Sequence, residues 1–182
     1  MSIKVLAALL TATTLLGAGT LNAGQPTVDQ QAKQLAPFKK LLSEALQNGL
    51  KGGTTAAMEA CQLMAPALQS NLSSGLIELG RATHKPRNTN NVVEPWMHSA
   101  HLSYLQGDSS SAQQVELEDG ATGYIEPIYV KAGCLQCHGS VLTPEVSDYL
   151  AKHYPDDRAT GFSLGDYRGL FWLKTIPAKR PQ

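Results

Sequence analysis

Apolar residues recur at helical spacing from Val28 to Leu50, at Leu35, Phe38, Leu41, Leu42, Ala45, Leu46 and Leu50, while Lys and Gln fill the other faces. A repeat of about 3.6 residues puts such positions on one stripe, so the segment reads as an amphipathic helix. Gly52-Gly53 ends it. A second helix starts at Thr54 or Thr55, either of which can cap it, and runs through Ala56, Met58, Cys61, Leu63 and Met64. Ala57, Cys61 and Met64 fall on one face, which turns Cys61 inward. Pro66 is expected to kink the helix or end its regular part.

Further along the chain the pattern shortens. Gly75 to Thr83, with Leu76, Ile77 and Leu79, reads as a strand, and the polar stretch 85–91 as a loop. Glu94 to Gln106 forms a third helix, with Trp96, Met97, Leu102 and Leu105 available for packing. Val115 and Leu117 alternate with polar neighbours, Asp119-Gly120 turns the chain, and Tyr124, Ile125, Ile128 and Val130 follow. That is a hairpin pattern, weakened by Pro127. Thr143 as cap and Pro144 at the first helical position start a helix reaching His153. A loop follows over 156–165, and Tyr167 to Ile176 suits a last strand. Helices followed by a hairpin, a helix and a strand predict an α+β domain with a small antiparallel sheet.

The chain of 182 residues suits one domain with a real core. Its formal charge of zero and 16% charged residues give no basic excess for a nucleic-acid partner. Lys4, the mostly apolar run Val5 to Leu16, and Leu21-Asn22-Ala23 before Gly24 read as a secretory signal cleaved after residue 23. The run is shorter than the about 20 residues a membrane span needs, and no later segment is long and apolar enough. The expected organisation is a signal peptide over 1–23 and one periplasmic domain over 24–182.

Export makes the cysteines informative. There are three, Cys61, Cys134 and Cys137, so any pairing leaves one thiol over. Cys134-Leu135-Gln136-Cys137-His138 is the spacing for covalent attachment of one c-type haem. Two thiols on one tight turn reach the two vinyl groups of a porphyrin, and the next residue then lies beneath the iron, where an imidazole nitrogen is a good ligand. Gly139 leaves room for the flat ring. A redox-active Cys-x-x-Cys needs no histidine in the next position, and a zinc site would need a second Cys/His pair at suitable spacing. For the opposite side of the iron the candidates are Cys61, Met58, Met64, His84, His98, His101 and His153. Cys61, the leftover thiol on an apolar face, leads them, with buried free cysteine as its ordinary alternative. Arg81 and Arg87 are candidate partners of the haem propionates, which a guanidinium fork suits. Arg158 and Arg168, beside Asp157 and Asp166, read as structural ion pairs, and Trp96, Tyr129 and Phe162 as pocket or core aromatics.

Several segments together resemble the periplasmic c-type haem sensor domains of PAS-like fold, found in bacterial histidine kinases and chemoreceptors and as stand-alone exported cytochromes. They are Ala57 to Pro66, Gly80 to Thr83, Arg87-Asn88 with Asn91 and Trp96, Tyr124 to Pro127, Cys134 to Gly139, Tyr154 to Phe162 and Gly165 to Gly169. The chain departs from the family's habit at Thr89 and Met97. The resemblance implies a PAS-like sheet flanked by helices, with the N-terminal helices over the haem. It also implies His138 and Cys61 as the two iron ligands. A thiolate ligand favours ferric iron, and its release on reduction would leave a site for CO or NO. A haem redox or gas sensor is therefore the leading expectation. An electron-transfer cytochrome working with a redox partner protein is the alternative. A peroxidase would need an open distal site that a cysteine ligand blocks.

Overall fold

The computed structural model describes residues 25–177. The predicted leader lies outside them. Helix α1 (Val28–Leu50) opens with a capping box in which Thr27 and Gln30 satisfy each other's backbone N–H groups. It buries Leu35 and Phe38, and the helix ends where its periodicity does.

Helix α2 (Thr54–Leu72) departs from expectation in three ways. Thr54 is its first residue and Gly53, with φ of 99°, occupies the cap position without any side-chain bond. The helix does not end at Pro66 but continues to Leu72. One backbone bond is lost there, at a cost of about 3 kcal/mol. Packing on both sides offsets it, with Met58 and Ala65 buried and Leu68 and Leu72 set against the sheet. Met64 faces solvent at 44% exposure, so the inward face carries Ala57, Met58 and Cys61 instead.

Four antiparallel strands follow in the order β1-β4-β3-β2. They are β1 (Ile77–Ala82), β2 (Gln113–Glu116), β3 (Thr122–Tyr129) and β4 (Tyr167–Thr175). The α+β, PAS-like expectation holds: a small antiparallel sheet carries helices on its faces. Alternate residues divide the core. Leu79, Tyr124 and Leu173 pack against Leu35 and Phe38 of α1. Ala82, Ile125 and Leu170 pack on the other side against Met97, Ala100 and Tyr104. The last two belong to helix α3 (His98–Gln106), which a short 3-10 turn over Pro95–Met97 introduces. Leu102 and Leu105 are about half exposed, contrary to expectation, because α3 turns Ala100, His101 and Tyr104 to the sheet instead.

A short helix α4 (Leu135–His138) and the helix α5 (Pro144–His153) lie between β3 and β4. Thr143 caps α5 as expected, and Val146 and Leu150 form a separate small core with Met58 of α2. Among the described residues no helix is long and apolar enough to cross a membrane.

Gly169 marks the place where β4 meets the segment after β1. A Cβ there would sit 2.5 Å from the Ala82 carbonyl oxygen and 2.9 Å from the Thr83 Cβ. Gly169→Ala should therefore destabilise the fold by about 1–3 kcal/mol, as overpacking does. Urea denaturation measures it, and an unchanged midpoint would mean that β4 can move away from Ala82.

Candidate functional site

A cavity of about 770 Å³ opens between the inner face of α2, the α1 side of the sheet and the turn that carries Cys134 to His138. Pockets for small cofactors span about 300–1,000 Å³, so a large flat group is within its capacity. Ala57, Met58, Cys61 and Ala65 of α2 form one wall, and Cys134, Cys137 and His138 another. Ile128, Gly169 and Phe171 of the sheet contribute as well.

The motif turn is built locally. Ala132–Cys134 form a 3-10 turn that passes directly into α4. Helical spacing then puts Cys134 and Cys137 on one side of the turn, and both thiols are free. Gly139 closes the turn by donating to the Leu135 carbonyl at 3.0 Å, and a Cβ there would meet that same oxygen at 2.6 Å. The requirement at Gly139 is thus set by its own turn. Two backbone bonds of 3.0 Å tie the turn to the 161–162 segment: Phe162 N–H to the His138 carbonyl and Gly161 N–H to the Gly139 carbonyl.

His138 is held in one tautomer. Its Nδ1–H donates to the Ala159 carbonyl at 2.6 Å, which leaves Nε2 with its lone pair. Burial first, then the charges of Arg168 and Arg87, hold its pKa down at about 3. The ring is therefore neutral at ordinary pH and able to bind a metal ion.

Cys61 faces the same cavity from α2. Burial pushes its thiol pKa up, and the nearby charges of Arg81 and Arg87 oppose that push. Cys137 is raised in the same way by burial, lowered by Arg87, and raised again by Cys61 and Cys134. All three cysteines of the chain thus share one cavity, although more than seventy residues separate Cys61 from the other two.

The other candidates for an opposing ligand separate by place. Of the seven, Cys61 and Met58 line the cavity. His101 is buried on the α3 side, its Nδ1 3.1 Å from the Tyr167 hydroxyl, and His84 stacks on that same ring with centroids 5.9 Å apart. His98, His153 and Met64 are exposed.

Arg81 and Arg87 both line the cavity. Among the described residues Arg81 makes no ion pair. Arg87 Nη2 donates to the Cys137 carbonyl at 2.6 Å and to Asp157 Oδ2 at 3.1 Å, while its buried Nε has no partner. Asp157 thus pairs with Arg87, across seventy residues, and not with its neighbour Arg158, which is exposed. Arg168 is likewise no partner of Asp166: it donates to the Thr83 hydroxyl at 3.0 Å and the Lys85 carbonyl at 3.3 Å. Tyr129 lines the cavity. Phe162 stands edge-on to His138, and Trp96 packs on Trp172 away from the site. Tyr154, Ile128 and Phe171 were not singled out by sequence as site residues, and Asp157 was named only as a neighbour of Arg158.

The family model described as Tll0287-like matches residues 20–175. No curated protein matches the chain. Its fold is similar to the crystal structure of the cyanobacterial heme-protein Tll0287, with a TM-score of 0.58 and 22% identity over 83% of this chain and 97% of that one.

Below pH 6.5 an unfolded His138 takes up a proton that the folded one refuses until about pH 3. Its contribution to stability is whole above pH 6.5 and is lost as the pH falls toward 3, because the unfolded state binds more protons in that window. His84 and His101, also lowered by burial, add to the same slope. In urea denaturation of the cofactor-free chain, His138→Gln should flatten the loss of stability on acidification. A slope equal to that of the native chain would mean that His138 titrates normally.

Proposed function

The chain belongs to the Tll0287-like family, and from that premise we propose that it is an exported c-type haem protein acting in redox or diatomic-gas sensing. Thioethers to Cys134 and Cys137 would hold one haem, with His138 and Cys61 as its iron ligands. The observation that carries this reading is the convergence of all three thiols and the His138 ring on one cavity. The similar solved protein is described as a heme-protein, which supports it further.

The cavity's chemistry fits such a group. Ala57, Met58, Ala65 and Phe171 give the cavity an apolar wall that would suit a macrocycle. Two guanidinium groups, Arg81 and Arg87, line it and would be partners for carboxylates of such a group, and the Arg87 Nε is a buried donor without one. When bound, haem supplies a one-electron ferric/ferrous couple and, if a ligand leaves, a site for CO or NO. The chain's own part is to present a neutral imidazole from one side and a sulfur from the other. His138 is fixed by the Ala159 carbonyl. Cys61 rides on a helix braced by Met58 against α5, so a change at the sulfur has a path into the packing of α2.

Export by cleavage after residue 23 and residence in the periplasm complete the proposal. The partner is a redox protein or a diatomic gas. A cysteine filling the distal side leaves no open site for peroxidase chemistry.

The test is spectroscopic. Protein matured with its haem should give a low-spin ferric spectrum of thiolate type. Cys61→Ser should abolish that signature, while Met58→Leu leaves it in place. An unchanged spectrum in Cys61→Ser would overturn the ligand assignment. Reduced native protein should then bind CO or NO rapidly if it senses, and inertness would favour electron transfer.

A further inference from the structure

We propose that Arg87 and Asp157 act as a clamp that sets how strongly His138 donates to its metal, an inference that rests on the haem reading above. A closed ring of contacts carries it. Arg87 Nη2 grips the Cys137 carbonyl at 2.6 Å and Asp157 Oδ2 at 3.1 Å. Asp157 Oδ1 accepts from the Ala159 N–H at 2.9 Å. The Ala159 carbonyl in turn accepts from His138 Nδ1–H at 2.6 Å, and the ring closes through the peptide bond between Cys137 and His138.

Each link has a physical task. Helix α4 is four residues long, so the Cys137 carbonyl has no partner within it, and Arg87 supplies one. The Arg87 and Asp157 side chains are 14% and 8% exposed. Water therefore competes weakly for their pairing, and removing either partner would leave the other charge buried and unpaired, a larger loss than at an ordinary surface ion pair. Asp157 has no contact with the cavity of its own. Its two oxygens are divided between the arginine that holds the motif and the backbone that holds the imidazole. An imidazole whose second nitrogen donates to a fixed acceptor is a stronger and better oriented ligand, and outer partners of this kind affect a metal site about 10–100-fold. Arg87 is then a positioning residue first, whatever its Nε does toward a propionate.

The two roles of Arg87 respond differently to substitution. A lysine keeps the positive charge that a propionate needs and loses the fork that bridges Cys137 to Asp157. With the haem-loaded protein, the equilibrium with a reference redox dye, haem per chain and thermal melting should be measured for Asp157→Ala, Asp157→Asn and Arg87→Lys. The clamp predicts that Asp157→Ala and Arg87→Lys each shift the dye equilibrium toward the ferrous form by about tenfold. Asp157→Asn, whose amide oxygen still accepts from Ala159, should shift it less and should stand in if the alanine variant does not fold. Haem-loaded variants that melt lower yet keep the native equilibrium would reduce Asp157 and Arg87 to fold-stabilising residues and overturn the proposal. A native protein that matures without haem would instead sink the haem reading. The clamp is then tested in the cofactor-free chain, where Asp157→Ala should abolish exchange protection of the His138 Nδ1 proton and retained protection would overturn it.

Discussion

The hydrogen bond from His138 to the Ala159 carbonyl is the interaction on which the rest of the site depends. A histidine placed after two cysteines can point anywhere, titrate near neutrality and rotate. This one does none of those things. A carbonyl can only accept, so the shared nitrogen must carry the proton and the other must not. Burial and two flanking arginines then keep the ring uncharged far into the acid range. The carbonyl itself is not free to drift, because the loop that bears it is fastened to the turn at Gly161 and Phe162.

The cavity follows from how the sheet is covered. Alternating residues are claimed on one side by α1 and on the other by α3. Room appears toward the end where β3 shifts register between Ile128 and Tyr129 and where Gly169, near the start of β4, lies opposite Ile128. There α2, held to α5 through Met58, leaves a gap over the sheet that the motif turn lines from its far side. Cys61 owes its position to that helix continuing past Pro66. A break at the proline would have removed the Leu68 and Leu72 contacts that seat α2 on the sheet.

Local signals were legible and distant ones were not. The periodicity of Val28–Leu50 and the Thr143-Pro144 start of α5 announced their helices because caps and stripes act within a few residues. Pro66 did not end α2, since tertiary packing outweighed a local rule. Leu102 and Leu105 misled as well: a stripe of leucines suggests a buried face, yet His101 is the residue turned inward, where Tyr167 supplies its hydrogen bond. In the site, the motif and its histidine were visible from spacing alone. That Met58 and Cys61 reach the cavity while four histidines do not is a fact of topology. The Arg87–Asp157 pair spans seventy residues and leaves no pattern along the chain; the neighbouring acids and bases at 157–158 and 166–168 suggested pairs that do not form.

The most direct test of the central claim is the intact mass of the chain, produced in cells with a working cytochrome maturation system and then extracted with acidified organic solvent. Covalent attachment predicts that the added mass of one haem survives extraction and disappears when Cys134 and Cys137 are both replaced by serine. A native chain at the mass of the bare polypeptide, whether colourless or with its pigment gone into the solvent, would contradict the account.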